Sequence, residues 1–364
     1  MHPAGIYIHV PFCAVKCPYC DFYSCRYTKQ TAERYAEAVC RNIGSLPAQL
    51  PADTVYFGGG TPSLLPGEML SRFLEALRER IELSEDAEIT LEVNPLTATE
   101  KNLTEWRRAG INRLSLGIQS FDAEVLSQLG RRHTPEQGIT AVRRAAEAGF
   151  SNISADLMIG LALQDAERVQ KDMEQAVSLP VAHISAYLLK IEDGTPFAEN
   201  TPALLDEEQL AERYLQMHRY LTEQGYCHYE ISNFAKQGAE SRHNLKYWHC
   251  DPYYGIGPAA HSAYGGKRWA VPRNLEAFCN AEQQPQAVTE PDAGTDSERI
   301  MLGLRLAEGI APWEYPADVC AELYRQAKPL APYYLTEENG RLRMTPEGWL
   351  VSNAVIAQLT RNIE

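Results

Sequence analysis

Three cysteines near the N-terminus, Cys13, Cys17 and Cys20, form the pattern C-x3-C-x2-C. Three thiolates so close in sequence can bind one soft metal centre. A four-iron cubane cluster normally takes four thiolates, so three leave one iron open to an outside molecule. The alternative is a structural zinc ion with Cys25 or His9 as its fourth ligand. Such sites usually use two spaced C-x2-C pairs, and the sequence has no second pair. The pattern therefore favours an iron–sulfur cluster with an open iron.

Glycines and polar residues follow the next strand candidates along the chain. Three glycines and a threonine occupy 58–61, and such a run either makes a tight turn or exposes backbone N–H and C=O groups to a small charged molecule. Glu92 lies between apolar neighbours, where an unpaired carboxylate is costly. It therefore pairs with a buried arginine or binds a hydroxyl or amine of a ligand. Gln119 and Asp156 leave the same choice open.

Short β-rich segments alternate with longer amphipathic segments along the first half of the chain. The strand candidates are 6–10, 55–57, 89–93, 114–118, 153–157 and 184–188, and the helix candidates are 32–43, 69–81, 103–109, 136–148 and 166–178. This alternation predicts a parallel sheet with helices outside it. The residues singled out above fall at successive strand ends, as on the active-site face of a barrel. An open doubly wound sheet gathers ligands at one switch point instead. We therefore predict an α/β fold with an incomplete (βα)6 barrel.

The remaining sequence indicates two further parts. We predict a barrel over 1–232, a connecting segment over 233–290 and a C-terminal domain over 291–364. Residues 283–295 are rich in Pro, Gln and Asp and are expected to form a linker. Two helices, a hairpin and a helix then suggest a winged-helix-like domain. Its 11 Asp and Glu against 7 Lys and Arg favour packing or partner docking over DNA binding.

Composition narrows the classes of function. The net charge of −14 argues against a nucleic-acid partner, because nonspecific affinity for phosphates comes from Lys and Arg. There is no apolar run long enough to span a bilayer, so an integral membrane protein is not expected. The first strand candidate begins too early for a secretory signal, which predicts a cytoplasmic protein. The nine cysteines are then expected to be thiols or metal ligands rather than disulfides.

Four longer motifs resemble one branch of the radical S-adenosylmethionine (SAM) proteins. They are YIHVPFC at 7–13, GGGTPS at 58–63, LEVNP at 91–95 and LGIQSF at 116–121. The branch contains oxygen-independent coproporphyrinogen III dehydrogenase and a group of haem chaperones, and the resemblance covers essentially the whole chain. It implies that Cys13, Cys17 and Cys20 hold a [4Fe–4S] cluster whose fourth iron is chelated by SAM. The SAM-binding residues implied are Tyr7, Tyr19, Gly59, Gly60, Thr61, Glu92, Gln119, Arg131, Asp156, Leu188 and, least securely matched, His261.

Three features separate the dehydrogenase from the haem chaperones. The dehydrogenase has a further cysteine two residues after the third and an N-terminal extension before the cluster. Here Phe22 occupies that cysteine position, and Cys13 comes within a dozen residues of the start. The third feature is the sequence 243–248, which resembles the HNxxYW motif of the chaperones.

The HNxxYW motif also has a physical rationale. The imidazole of His243 can ligate haem iron, and Tyr247 and Trp248 offer flat apolar surface to a porphyrin. The alternative is a satisfied surface histidine beside two core aromatic residues. His249 and Cys250 are alternative or second axial ligands. Because the motif lies well beyond the sixth strand candidate, we expect haem binding to be independent of the cluster.

The resemblance and these residues favour a haem chaperone that carries a [4Fe–4S] cluster and SAM and passes haem to client haemoproteins. Membrane-associated respiratory enzymes are among the clients implied, and a homodimer is the implied assembly. The second hypothesis is oxidative decarboxylation of coproporphyrinogen III by the dehydrogenase. A third is a radical SAM enzyme acting on another substrate.

Overall fold

One mixed sheet of twelve strands organises the part of the chain that the computed structural model describes, residues 2–363. Two small two-stranded sheets, β2–β3 and β15–β16, complete the β structure there. The strands are β1 (Ala4–Val10), β2 (Phe12–Cys13), β3 (Cys25–Arg26), β4 (Pro51–Gly59), β5 (Glu82–Val93), β6 (Arg113–Gln119), β7 (Asn152–Ile159), β8 (His183–Leu188), β9 (Cys227–Glu230), β10 (Asn233–Ala235), β11 (Tyr253–Ile256), β12 (His261–Tyr264), β13 (Lys267–Ala270), β14 (Ala287–Glu290), β15 (Leu335–Glu338) and β16 (Arg341–Met344).

The helices alternate with the strands through the first half of the chain and surround a hairpin near its end. They are α1 (Lys29–Ile43), α2 (Gly67–Arg80), α3 (Glu100–Ala109), α4 (Ala123–Gln128), α5 (Pro135–Glu147), α6 (Ala166–Ser178), α7 (Pro196–Glu199), α8 (Glu207–Glu223), α9 (Arg242–Trp248), α10 (Leu275–Asn280), α11 (Asp296–Gly303), α12 (Ala317–Ala327), α13 (Pro346–Leu350) and α14 (Ser352–Leu359). No helix within residues 2–363 is long and apolar enough to cross a membrane.

Six parallel strands form the centre of the sheet in the order β1-β4-β5-β6-β7-β8, which is also their order in the chain. Each strand candidate of the sequence lies within one of them, so the prediction of six βα units with parallel strands is confirmed. Among the described residues β1 and β8 do not pair with each other, because β11 lies beside β1 and β10 beside β8. The strand order fits an incomplete barrel, and the barrel shape itself stays a prediction.

The two faces of the central strands differ in polarity. Successive side chains of a strand point to opposite faces, and residues paired in register share a face. One face carries apolar side chains such as Phe57, Leu91 and Leu116, which belong to the hydrophobic core with the buried sides of the helices. The other face is polar and largely buried. It carries Thr54, Tyr56, Glu88, Thr90, Glu92, Arg113, Ser115, Ser154, Asp156, His183 and Ser185.

The chain leaves the central strands at one edge of the sheet and returns at the other. After β8 it forms the antiparallel strands β9 and β10, and after α9 it adds β11 parallel to β1. Strands β12, β13 and β14 extend that edge in antiparallel fashion. The linker predicted over 283–295 is therefore wrong in part, because Val288 of β14 pairs with Trp269 of β13.

The last part of the chain has the predicted order of helix, helix, hairpin and helix, namely α11, α12, β15–β16 and α13–α14. It is joined to the edge of the sheet by backbone hydrogen bonds from Ile231 N to Arg305 O (3.0 Å) and from Ala307 N to Tyr229 O (2.9 Å). Trp349 of α13 is buried and donates its indole N–H to Leu304 O at 3.1 Å. A winged-helix-like domain, and domain boundaries at 232 and 290, stay predictions.

Candidate functional site

A cavity of about 470 Å³ lies at the C-terminal ends of the central strands. It is bordered by the three cysteines, the loop after β4 and polar residues of β5 to β8. Twelve of the fourteen residues that the sequence assigns to the cluster and SAM line it: Cys13, Cys17, Cys20, Tyr19, Gly59, Gly60, Thr61, Glu92, Gln119, Arg131, Asp156 and Leu188. The fold thus brings together side chains that are up to 175 positions apart in the chain.

The three thiols lie at one wall of this cavity, next to the partly buried cation of Arg131. Arg131 donates to Cys17 Sγ at 3.4 Å and to Gly117 O at 2.7 Å, and the Thr61 hydroxyl lies 3.5 Å from Cys13 Sγ. Burial, followed by the neighbouring thiols, raises the pKa of Cys20. A guanidinium beside the cysteines would favour their thiolate forms, which are the forms that bind metal.

The donor set fits a cluster better than a single ion. Among residues 2–363, no three His, Cys, Asp or Glu side chains stand close enough to hold one metal ion. In a four-iron cluster the ligand thiolates bind separate irons, so they need not converge on one point. Cys25 does not belong to this wall, because its thiol points elsewhere and donates a hydrogen bond to Pro11 O at 3.3 Å.

The glycine loop is shaped by close packing. A Cβ on Gly60 would lie 2.7 Å from Phe12 O, and Gly59 has a φ of 109°, a conformation that favours glycine. The N–H of Gly60 donates to Val10 O and that of Thr61 to Phe12 O, at 2.8 and 2.7 Å. These amides are therefore not donors for a ligand, contrary to the expectation that the glycines expose N–H groups.

Glu92 has protein partners but no arginine among its hydrogen bonds. Its carboxylate accepts from the Tyr56 hydroxyl at 2.9 Å and from Gly59 N at 3.1 Å. Burial raises the pKa of Glu92 to about 7, against the effect of these two hydrogen bonds. A partly buried carboxylate at a cavity wall is suited to bind an amine or hydroxyl of a ligand.

Asp156 and Gln119 lie further along the same rim. Asp156 accepts hydrogen bonds from Ser115 (2.8 and 3.0 Å) and Ser154 (2.9 Å), and burial raises its pKa. Gln119 has a φ of 68°, which is uncommon for a residue with a side chain. Its Oε1 is buried and has no hydrogen-bond partner among the described residues. Such an orphaned acceptor fits a site completed by a ligand.

Two of the predicted SAM residues lie outside the cavity lining. Tyr7 is partly buried, its hydroxyl lies 3.1 Å from His9 Nδ1, and its ring stacks on Tyr56 at a centroid distance of 6.2 Å. His261 is exposed on β12. Tyr7 therefore supports the wall through Tyr56.

The sequence reasoning missed the interior polar residues, Tyr56, Ser115 and Arg113 among them. Tyr56 and Ser115 line the cavity, and Arg113 is fully buried beneath it. The signal was present in the alternation of polar and apolar residues in β4 to β8. In a sheet covered by helices on one face, such alternation places polar groups on the other face.

The HNxxYW motif lies at the opposite, N-terminal end of the central strands, where α9 packs against β4 and β1. His243 is 1% exposed, with its Nδ1 2.8 Å from Thr54 Oγ1 and its Nε2 2.8 Å from the Tyr247 hydroxyl. The alternative of a satisfied surface histidine is therefore wrong about the surface, whereas both ring nitrogens have the partners that it expected. His243 has no free ring nitrogen in this conformation, and burial lowers its pKa to about 3.

The residues around His243 are more accessible. Trp248 is half-buried, and the Arg305 guanidinium lies 5.9 Å from its ring. His249 is about 40% exposed and pairs with Glu308 at 2.7 Å. Burial raises the pKa of Cys250 to about 11.

Comparisons with known proteins agree with this architecture. The model of the Radical SAM superfamily matches residues 7–176. The solved structure of coproporphyrinogen III oxidase (HemN) from Escherichia coli, a radical SAM enzyme, has a TM-score of 0.80, covers 98% of this chain and 90% of its own, and is 24% identical. That likeness shows the fold.

Curated relatives extend over nearly the whole chain. Heme chaperone HemW from Escherichia coli is 34% identical and covers 97% of each chain. HemW from Mycobacterium tuberculosis is 35% identical over 98% of this chain and 95% of its own, and HemW from Bacillus subtilis is 37% identical over 84% of each. The fold and the three-cysteine cavity define a radical SAM protein. Within that class, the chain belongs to the HemW family.

Proposed function

We propose that this protein binds haem and passes it to client haemoproteins, and that it carries a [4Fe–4S] cluster and SAM. Support comes from relatives named heme chaperones that cover 97% of the chain. The observation that carries the choice over the dehydrogenase is Phe22. It borders the cavity, 57% exposed, at the position where the dehydrogenase has its additional cysteine.

Cys13, Cys17 and Cys20 would hold the cluster, and Glu92, Gln119 and Asp156 would bind SAM with the loop at 59–61. Together the cluster and SAM supply radical chemistry when bound. The partly buried Glu92 would accept a hydrogen bond from the SAM amine, and Arg131 would keep a positive charge beside the thiolates. Tyr19, Leu188 and, outside the lining, Tyr7 and His261 complete the proposed SAM set.

Haem is the proposed cargo, and His243, Tyr247 and Trp248 are its proposed binding residues. Because both ring nitrogens of His243 are hydrogen-bonded and the ring is buried, ligation requires α9 to move away from β4. His249, which is more exposed, is the alternative axial ligand.

The proposal also covers the client proteins, the location and the assembly of the protein. The clients include membrane-associated respiratory haemoproteins, the protein acts in the cytoplasm, and it forms a homodimer. Nucleic acid is not a partner, in keeping with the net charge of −14.

One experiment decides between chaperone and dehydrogenase. The full-length protein is reconstituted anaerobically with iron and sulfide and assayed side by side for haem binding, by its Soret band, and for decarboxylation of coproporphyrinogen III with SAM. We expect haem binding, haem transfer to an apo-haemoprotein and no decarboxylation. Turnover of coproporphyrinogen III, with haem affinity indifferent to His243→Ala and His249→Ala, would reverse the assignment.

A further inference from the structure

The segment assigned to haem and the wall assigned to SAM are in direct contact through the interior of the sheet. The ring of His243 stacks on the ring of Tyr56, with centroids 5.1 Å apart and planes 27° apart. The hydroxyl of the same Tyr56 donates to Glu92 at 2.9 Å. The ring of Tyr56 thus contacts the HNxxYW motif, and its hydroxyl contacts Glu92, the carboxylate proposed to bind SAM.

The position of His243 is fixed from several sides. The hydroxyl groups of Thr54 and Tyr247 form hydrogen bonds with its Nδ1 and Nε2 atoms, respectively. The carboxylate of Glu88 in β5 accepts hydrogen bonds from the backbone N–H groups of Arg242 (3.0 Å) and His243 (3.1 Å) at the start of α9. A Cβ on Gly5 of β1 would lie 3.0 Å from His243 Cε1, so the strand backbone closes over the ring. The motif therefore closes the N-terminal end of the polar interior.

A ring that is held in this way cannot reach haem iron without leaving Tyr56. Ligation needs one free nitrogen and an open path for a flat macrocycle, and the buried ring has neither. Once His243 leaves, Tyr56 loses the ring that stacks on it and keeps the stacking contact with Tyr7, at 6.2 Å. The tyrosine whose hydroxyl donates to Glu92 then loses the nearer of these two aromatic neighbours.

We propose that His243 is a positioning residue for the SAM site, acting through Tyr56 on Glu92, so that haem ligation by His243 and SAM binding oppose each other. The inference rests on the proposed function and adds regulation to it. A ligand changes an equilibrium only by its different affinities for the two states. SAM binds the state with α9 packed, and haem binds the state with His243 released. The coupling must be reciprocal, so each ligand lowers the affinity for the other by the same factor.

The coupling is tested on the full-length, cluster-loaded protein with SAM and ferric haem as probes. Calorimetric SAM titrations with and without haem should show SAM affinity reduced about five-fold or more by haem, and haem titrations should show the same factor with SAM. Backbone hydrogen exchange in 242–248 should become faster with haem and slower with SAM. Haem binding that leaves SAM affinity unchanged would overturn the coupling while leaving the proposed chaperone function intact.

The positioning role is tested without haem. His243→Ala should weaken SAM binding several-fold at full iron content. His243→Phe keeps a ring for Tyr56 but has no nitrogen, so it should restore most of the SAM affinity and still fail to ligate haem. His228→Ala is the matched control, since it removes another buried ring, which packs on Phe234 at 3.9 Å outside the cavity lining. Equal SAM affinity in wild type and His243→Ala would overturn the positioning role, whatever haem does.

Discussion

At the scale of single residues, Glu92 combines a partly buried carboxylate with two hydrogen-bond donors among the described residues. Glu92→Gln keeps an acceptor for Tyr56 and removes the charge that a SAM amine would meet. Loss of a charged hydrogen bond costs about 1.5–3 kcal/mol, so SAM affinity should fall about ten- to hundred-fold. Titration calorimetry on iron-replete protein measures this change in SAM affinity. Glu82→Gln, an exposed change on the same strand, is the control, and an unchanged SAM affinity in Glu92→Gln would assign Glu92 a structural role only.

The cysteines differ by where their thiols point. Cys13, Cys17 and Cys20 border the cavity, whereas the Cys25 thiol lies against Pro11 O. Cys13→Ala, Cys17→Ala and Cys20→Ala should each abolish the iron content and brown colour of anaerobic preparations, and Cys25→Ala should retain both. Iron analysis and visible absorbance check this. A colourless protein that carries zinc instead would contradict the radical SAM assignment of the site.

Glu230 on β9 should make stability depend on pH. Burial raises its pKa from 4.5 to about 8, so the native state holds this proton more tightly than the unfolded chain does. The contribution of Glu230 to the free energy of unfolding is therefore present below pH 4.5 and is lost as pH rises to about 8. Glu230→Gln should remove this pH-dependent loss of stability, so at about pH 8 the variant should be more stable than the wild type. Urea unfolding across this range measures the difference, and parallel pH profiles would contradict it.

At the scale of elements, α6 on the outside of the sheet fixes a loop of the cavity rim. Asp172 of α6 is buried, accepts from the Ser120 hydroxyl at 2.6 Å and from Phe121 N at 2.7 Å, and so holds the chain directly after Gln119. Asp172→Ala leaves two buried donors unsatisfied, which costs about 1–3 kcal/mol each.

We therefore expect Asp172→Ala to weaken SAM binding as well as stability, because the unusual backbone conformation of Gln119 depends on this loop. Thermal unfolding and SAM calorimetry measure the two effects. Glu174→Ala, an exposed carboxylate on the same helix, should change neither. A variant at position 172 with normal SAM affinity would show that Gln119 holds its conformation unaided.

The sequence predicts the elements that carry local signals. The six central strands and five of the helices show apolar periodicity, and all of them occur in the structure. Helix α4 was missed because six residues give too little periodicity. The longer α8 was also missed, although Asp206 and Gln209 form a capping box and Tyr214, Met217 and Leu221 are buried on one side. These features of the sequence are sufficient to predict α8.

At the scale of the whole molecule, the position of the HNxxYW motif could not be read from the sequence. His243 forms a hydrogen bond with Thr54, 189 positions earlier in the chain, because the chain between β10 and β11, which contains α9, passes from one edge of the six central strands to the other. The expectation that haem binding is independent of the cluster stays a prediction, although the ring of His243 stacks on Tyr56 of the cavity wall. Composition and spacing describe neighbours in the chain and carry no information about such a crossing.

The C-terminal part joins the sheet away from the cavity. Trp349 is buried, donates to Leu304 O and packs edge-on against His228 at 4.6 Å, and no residue of the described part beyond Glu192 lines the cavity. Trp349→Ala should therefore lower the free energy of unfolding by about 3–5 kcal/mol and leave the SAM affinity of the folded protein unchanged. Urea unfolding and SAM calorimetry measure the two quantities. Trp313→Ala, where the side chain is 55% exposed, should cost much less stability. A loss of SAM affinity in folded, iron-replete Trp349→Ala would show that the C-terminal part acts on the site through β9 and β10.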